Sequence, residues 1–332
     1  MDTLNEPTAA DRAADCGDVR ETIAALTAEA GKVYVGQSEF VRLALAALFA
    51  GGHVLIESVP GLGKTLLVRI LGEALGCRFG RIQFTADLMP SDITGQPVFD
   101  ARTQEFRFRP GPVFTHILLA DEINRSPAKT HAALLEIMQE GRVTVDGTTH
   151  RIEPPFLVLA TQNPLESEGT YSLPEAQLDR FLFKIVVDYP QAAEEDEILR
   201  LHCRPRRLED EVTSAIRPLL DPARVLAVQN LCRGVRVDDT VISYVNAIVR
   251  KTRVWPAFTV GASPRAGIAL VSGARVLAAF AGRPYVIPDD VTELVLPALR
   301  HRVILAPEAE VSGETTDAAL EALLATVEVP RT

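Results

Sequence analysis

Cysteine is scarce in this sequence and never paired. The four residues Cys16, Cys77, Cys203 and Cys232 are scattered through 332 positions with no C-x-x-C spacing. A disulfide framework or a zinc site needs closer, paired cysteines, so free thiols in a reducing compartment are the expectation. The six histidines, His53, His116, His131, His150, His202 and His301, form no ligand-spaced pair either. Basic charge is in deficit, with 34 Lys+Arg against 44 Asp+Glu and a formal net charge of −10. That balance argues against coating nucleic acid through bulk charge, although a local basic groove stays open. Long apolar runs are missing: the most apolar stretch, 43–52, is flanked by Arg42 and His53 and falls far short of the ~20 residues of a membrane span. The N-terminal MDTLNEPTAADRAADCGD is polar and acidic, without the basic-then-apolar order of a secretory signal. These absences lead to the expectation of a cytoplasmic protein with no membrane insertion.

What is present suits a globular protein, with 47% hydrophobic and 23% charged residues. At ~100–200 residues per domain the length suggests two domains. Residues 1–18 read as a flexible tail. From Val19 to Ala50 apolar residues recur at helical spacing until Gly51-Gly52. Short apolar runs at 53–57, 81–84, 113–120, 156–161 and 183–187 read as strands, with helices at 65–75 and 126–139 between them. Strands alternating with helices predict a parallel sheet flanked by helices. Two stretches interrupt the alternation. Pro97–Pro110 carries FRFR beside a polar turn, and Arg142–Ile152 carries Asp146-Gly147 between β-branched residues. Both read as inserted β-hairpins, the second because a type I′ turn needs positive φ at both central positions. After Pro190 the pattern turns helical, at 194–201, 222–231, 239–251, 264–280 and 288–300. The division expected is therefore a tail over 1–18, an α/β unit with a parallel sheet over 19–190 and an all-helical unit over 191–332.

The strongest chemical signal is Pro60-Gly61-Leu62-Gly63-Lys64-Thr65, followed by Leu66, between a strand and a helix. It resembles the phosphate-binding pattern G-x-x-x-x-G-K-[ST], with Ser58 standing where the first glycine falls. Backbone N–H groups of such a loop curl around the β-phosphate at a helix N-terminus. Lys64 would supply charge to the β- and γ-phosphates, and the Thr65 hydroxyl would coordinate Mg2+. The second signal is Ile117-Leu118-Leu119-Ala120-Asp121-Glu122, an apolar strand ending in two acids. Neighbouring strand side chains point in different directions, so Asp121 would serve the Mg2+ shell while Glu122 polarises the attacking water. Taken singly, a strand ending in acids is commonplace. Asn163 lies just past another strand, where its amide can orient water against the γ-phosphate; the competing reading is a plain Asn-Pro turn. Arg180 and Arg265 are not distinguished by pattern alone, since most arginines are solvated.

Taken together, these segments resemble the MoxR family of AAA+ ATPases. The resemblance runs from about Val35 to Asp290 and is carried by Val35-Gly36-Gln37, VPGLGKT at 59–65, FRFRPGPVF at 106–114 and ADEINRSPAKTHAALLEIMQEGRVTVDG at 120–147. LATQNPLESEGTYSLPEAQLDRF at 159–181, ASPRA at 262–266 and GRPYVIPDDV at 282–291 continue it. The resemblance implies a P-loop core with ATP and Mg2+ as cofactors, and Gly36 and Gln37 beside the adenine. It implies Asn163 as sensor 1, Arg180 as an arginine finger offered to the neighbouring subunit, and Arg265 as sensor 2 in the lid. Arg125 belongs to the same string but acquires no role from it. A finger supplied in trans implies a homo-oligomer, and the family suggests a hexameric ring.

The function implied is ATP-driven, chaperone-like remodelling or activation of a client protein. It extends to metal cofactor insertion and to a partner bearing a von Willebrand factor A-type domain, with the hairpins gripping the client. Three alternatives are weighed against it. A nucleic-acid-stimulated motor would need pore-facing cations, for which Arg102, Arg107, Arg109, Arg142 and Arg151 are few in an acidic chain. A metal-chelatase motor subunit is a near variant. A nucleotide-gated switch that barely hydrolyses is disfavoured by the intact Glu122.

Overall fold

A computed structural model describes residues 9–59, 61–163, 171, 173–203 and 215–330, with side chains from Asp15 onward. The contacts divide the chain into two units, with the divisions after Thr27 and after Val225.

The larger unit is built on a five-stranded parallel sheet. Its strands are β1 (Val54–Ser58), β2 (Phe79–Gln83), β5 (Ile117–Asp121), β8 (Leu157–Gln162) and β9 (Phe183–Val187), in the order β2-β5-β8-β1-β9. The three central strands, β5, β8 and β1, are almost wholly buried, as unbroken apolar runs must be when both faces of a sheet are covered. Helices α2 (Ser38–Ala50), α3 (Lys64–Ala74) and α5 (Ala128–Glu140) bury apolar stripes. Leu134, Leu135, Ile137 and Met138 of α5 join Leu118, Ala120, Val158 and Ala160 in one core cluster. Each fully buried side chain of this size stabilises the fold by about 1.5–3 kcal/mol. His53 enters the same core: its Nε2 donates to the Met138 carbonyl (3.0 Å), and its Nδ1 accepts from the Val158 N–H (3.0 Å). Burial holds its pKa down at about 4.

The two insertions are hairpins outside that sheet, β3 (Gly95–Asp100) with β4 (Glu105–Pro110), and β6 (Arg142–Val145) with β7 (Thr148–Arg151). Asp146 and Gly147 turn the second at φ 47° and 75°. Phe108 of the first hairpin stacks on His150 of the second, with ring centroids 3.8 Å apart, so the hairpins are tied to each other. The short helix α4 (Pro90–Thr94) leads into β3.

Several elements differ from the sequence-based expectation. The tail expected over 1–18 is helical from Ala9, because helix α1 spans Ala9–Ala30. Its buried residues Cys16, Val19, Ile23, Leu26 and Ala30 recur at helical spacing. The intervening acids and alanines make the same segment look unstructured by composition. The single helix expected over 19–50 breaks between α1 and α2, where Gly36 and Gln37 both take positive φ (73° and 53°). The strand expected over 113–120 begins only at Ile117. Upstream, backbone and side chains share Arg78: its carbonyl accepts from the His116 N–H (3.1 Å) and the Thr115 hydroxyl (2.8 Å), and His116 Nδ1 accepts the Arg78 N–H (3.1 Å). The core does not end at Pro190. Helices α6 (Glu175–Leu178) and α7 (Ala192–His202) belong to the sheet unit. So does the stretch around Leu219, whose N–H donates to the Ala74 carbonyl at the end of α3 (2.8 Å).

The smaller unit is mainly helical, with Asp239–Thr252, Pro264–Phe280 and Thr316–Leu324 as its longer helices. The strand pair Phe258–Val260 and Ile304–Leu305 adds a small antiparallel ladder. The helix expected over 288–300 is two, Pro288–Thr292 and Val295–Leu299. Pro297 offers no N–H to the turn before it and cannot continue an unbroken helix. Among the described residues no helix is long and apolar enough to cross a membrane.

Candidate functional site

Parallel strands all end at the same edge, and a doubly wound sheet opens its crevice outside those carboxyl ends. Here the ends of β1, β5 and β8 meet around a cavity of about 210 Å³. Register brings them level, with Glu57 opposite Gln162 and Ala120 opposite Ala160.

From β1 the chain turns through Gly61, Leu62 and Gly63 into α3, and all three line the cavity with Lys64 and Thr65. Gly63 caps α3 at φ 71° and has no side chain with which to satisfy the first-turn N–H groups. A Cβ there would also lie 3.3 Å from Cε2 of Tyr34. The result is a helix start whose unpaired donors favour an anion. Lys64 Nζ donates to the Ser58 hydroxyl (2.7 Å) and the Val59 carbonyl (3.1 Å). Burial pushes its pKa down, while Asp121 and Glu122 pull it back up. Ser58, which departs from the glycine of the pattern, is thus buried as a hydrogen-bond acceptor for the lysine.

The acids sit at the end of β5 within a connected polar network. Thr161 of β8 donates its hydroxyl to Asp121 Oδ1 (2.7 Å) and accepts the Glu122 N–H (2.8 Å). Arg81 of β2 donates to Asp121 Oδ2 (2.7 Å) and to Gln83 Oε1 (2.7 Å). Gln83 in turn donates to Glu122 Oε2 (2.6 Å), and Arg125 Nε lies 3.3 Å from the same oxygen. Glu122 has φ 57°, an uncommon conformation for a non-glycine residue that turns its side chain away from the path of β5. Further along the edge, Gln162 donates to Glu57 (2.6 Å), which also pairs with Lys184 (2.8 Å).

Of the residues singled out from sequence, Gly61, Leu62, Gly63, Lys64, Thr65, Asp121, Glu122 and Asn163 line this one cavity. Leu66 follows in α3 and is half-buried, and Pro60 lies outside the described residues. Gln37 is tied to the loop through Tyr34, whose hydroxyl donates to Gln37 Oε1 (2.6 Å) and to the Leu62 carbonyl (3.4 Å); Gly36 precedes it at φ 73°, with the Glu194 carboxylate as its neighbour. Arg180 is not in the cavity lining: its Nη1 donates to the Leu135 carbonyl of α5 (3.0 Å). Arg265 belongs to the smaller unit, where its N–H is capped by the Ser263 hydroxyl (3.2 Å). Sequence reasoning missed Arg81, Gln83 and Thr161. The available signal was two polar side chains at i and i+2 near the end of β2, on one face of a strand. The donor set suits a magnesium ion, because the Thr65 hydroxyl and the Asp121 carboxylate offer the hard oxygens that Mg2+ takes.

Comparison with known proteins agrees with this geometry. A profile of the ATPase family associated with various cellular activities (AAA) matches residues 53–183, and an AAA lid domain profile matches residues 250–323. The chain is 48% identical to the uncharacterized protein YeaC of Bacillus subtilis, over 90% of this chain and 92% of that one. It is 42% identical to the chaperone MoxR1 of Mycobacterium tuberculosis, over 91% and 81%. A crystal structure of a protein from Cytophaga hutchinsonii superposes with a TM-score of 0.89 at 39% identity, covering 96% of this chain and 98% of that one.

Proposed function

Because this chain belongs to the MoxR family of AAA+ ATPases, we propose that it is a magnesium-dependent ATP hydrolase. It spends the reaction on chaperone-like remodelling of a client protein. The observation that carries the reading is the single cavity in which a glycine-rich loop, a half-buried lysine and two strand-end acids converge. The loop N–H groups and Lys64 hold the β- and γ-phosphates. Thr65 and Asp121 hold the magnesium ion, which when bound neutralises charge on the phosphate oxygens. Glu122 orients a water molecule and accepts its proton as the oxygen bonds to the γ-phosphorus. The bond from that phosphorus to the bridging oxygen breaks, and ADP and inorganic phosphate leave. Asn163 steadies the same water.

Arg180 and Arg265 act in this reading as finger and sensor 2. The finger completes a neighbour's site, so the working form is a homo-oligomer, a hexameric ring by family resemblance. Arg180 must release the Leu135 carbonyl to reach a neighbour, at a cost of about 1 kcal/mol. The tied hairpins are the surface that grips the client. Phe99 and Phe106, 52% and 73% exposed, form an aromatic pair across the first of them. A protein with a von Willebrand factor A-type domain is the partner proposed, in a cytoplasmic setting.

The test is nucleotide binding and phosphate release by three proteins. The wild-type chain should bind ATP with Mg2+ and release phosphate, and Lys64→Ala should lose binding. Glu122→Gln should bind but not hydrolyse, and in that state a pull-down should retain the client. Normal ATP binding by Lys64→Ala would contradict the loop assignment, and retained turnover by Glu122→Gln would remove its role as base.

A further inference from the structure

The proposed metal-facing carboxylate of Asp121 already has a cationic partner within the chain. Arg81 reaches it from the neighbouring strand β2, with Nη2 2.7 Å from Oδ2. The register places the pair at the sheet edge, with Gln83 directly opposite Asp121 and Arg81 two residues earlier on the same face. The Arg81 side chain is 46% exposed and the Asp121 side chain 14%, so the guanidinium has solvent to retreat into and the carboxylate does not. The same Nη2 also donates to Gln83 Oε1, and Gln83 Nε2 donates to Glu122 Oε2. One guanidinium therefore bridges the two acids, touching one directly and the other through a single amide.

Resting on the nucleotide reading above, we propose that Arg81 is a positioning residue that competes with the divalent cation for Asp121 and reports the outcome to Glu122. A guanidinium on Oδ2 and a magnesium shell drawing on the same carboxylate are alternatives, because two cations cannot share one lone-pair direction at contact distance. When the cation takes Asp121, Arg81 turns toward solvent and Gln83 loses its donor. Gln83 is then free to reorient, and Glu122 Oε2 loses that amide donor while keeping Arg125 beside it (3.3 Å). The arrangement makes one of the two restraints named on Glu122 Oε2, the Gln83 amide, conditional on the metal being absent, while Arg125 remains beside that oxygen.

The experiment measures binding, not turnover. A fluorescent ATP analogue is titrated into the full chain with saturating Mg2+ and with EDTA, and the ratio of the two affinities is the magnesium-dependent gain. Removing the competitor in Arg81→Ala should raise that gain by about two- to fivefold, the range a partly exposed ion pair supports. Arg81→Lys keeps a cation on the strand end and should stay near wild type. Arg81→Gln, uncharged but similar in length, should follow the alanine variant, and serves if alanine disturbs the edge strand. An unchanged or smaller gain in both uncharged variants would overturn the competition. Binding by the wild-type chain with no magnesium-dependent gain would overturn the competition as well, whereas no binding of the analogue under either condition would remove the nucleotide reading, and this inference with it.

Discussion

Thr161→Val is the substitution that best separates this account of the acids from a looser one. The hydroxyl is buried, with 1% of the residue exposed. It donates to Asp121 Oδ1 (2.7 Å) while accepting the Glu122 N–H (2.8 Å). Valine keeps the shape and the β-branched strand preference but removes both bonds. Losing a neutral amide bond costs about 1 kcal/mol, and losing a bond to a charged carboxylate costs about 1.5–3 kcal/mol. Asp121 keeps Arg81 on its other oxygen and a little solvent, which places the expected total at about 2–3 kcal/mol. Urea unfolding followed by circular dichroism measures that loss. The functional consequence is separate: Glu122 holds φ 57°, and the Thr161 oxygen is the acceptor that fixes its N–H. Without it the glutamate loses its direction, so kcat should fall at least tenfold with a smaller change in KM. Thr161→Ser restores the hydroxyl and should recover most of the activity. A valine variant that loses less than about 1 kcal/mol and keeps its kcat would refute the idea that one hydroxyl orients both acids.

Two further outcomes are expected. Mixing Lys64→Ala with Arg180→Ala subunits, each inactive alone, should recover part of the ATPase rate where an intact loop meets an intact finger; no recovery at any mixing ratio would count against a finger in trans. For pH, the folded pKa of His53 is depressed to about 4 from an ordinary 6.5. The unfolded chain therefore binds a proton that the native state refuses, and stability present above pH 6.5 is lost as the pH falls toward 4. Between pH 7 and 5 this one group should cost about 2 kcal/mol. Denaturant unfolding at the two pH values checks it, and His53→Gln should flatten that part of the dependence; an unchanged slope would assign it to other groups.

The elements legible in the sequence are those whose signal is local. The strand at 183–187 and the helix at 264–280 are found as expected, because apolar runs and helical periodicity read directly as burial. The turn at Asp146-Gly147 was likewise fixed by two residues needing positive φ. Elements whose partners are distant read poorly. The first turns of helix α1, before Val19, were read as tail because acids and alanines dominate them, and only packing shows that Cys16 is buried. The domain division misplaced at Pro190 falls after Val225, because nothing local in 215–221 says that Leu219 pairs with Ala74.

The site follows the same rule. By itself the sequence determined the loop, Lys64, Thr65 and the acid pair, since backbone conformation at Gly63 and the alternation of a strand act within a few residues. Only the tertiary structure decided what surrounds them. Arg81 and Thr161 lie 40 residues on either side of Asp121 along the chain, yet both touch it, because the sheet order β2-β5-β8 puts strands side by side that are not consecutive. Which polar side chains hold the two carboxylates is a property of that lateral order, and lateral order is set by how helices cover the sheet, not by any short stretch of residues.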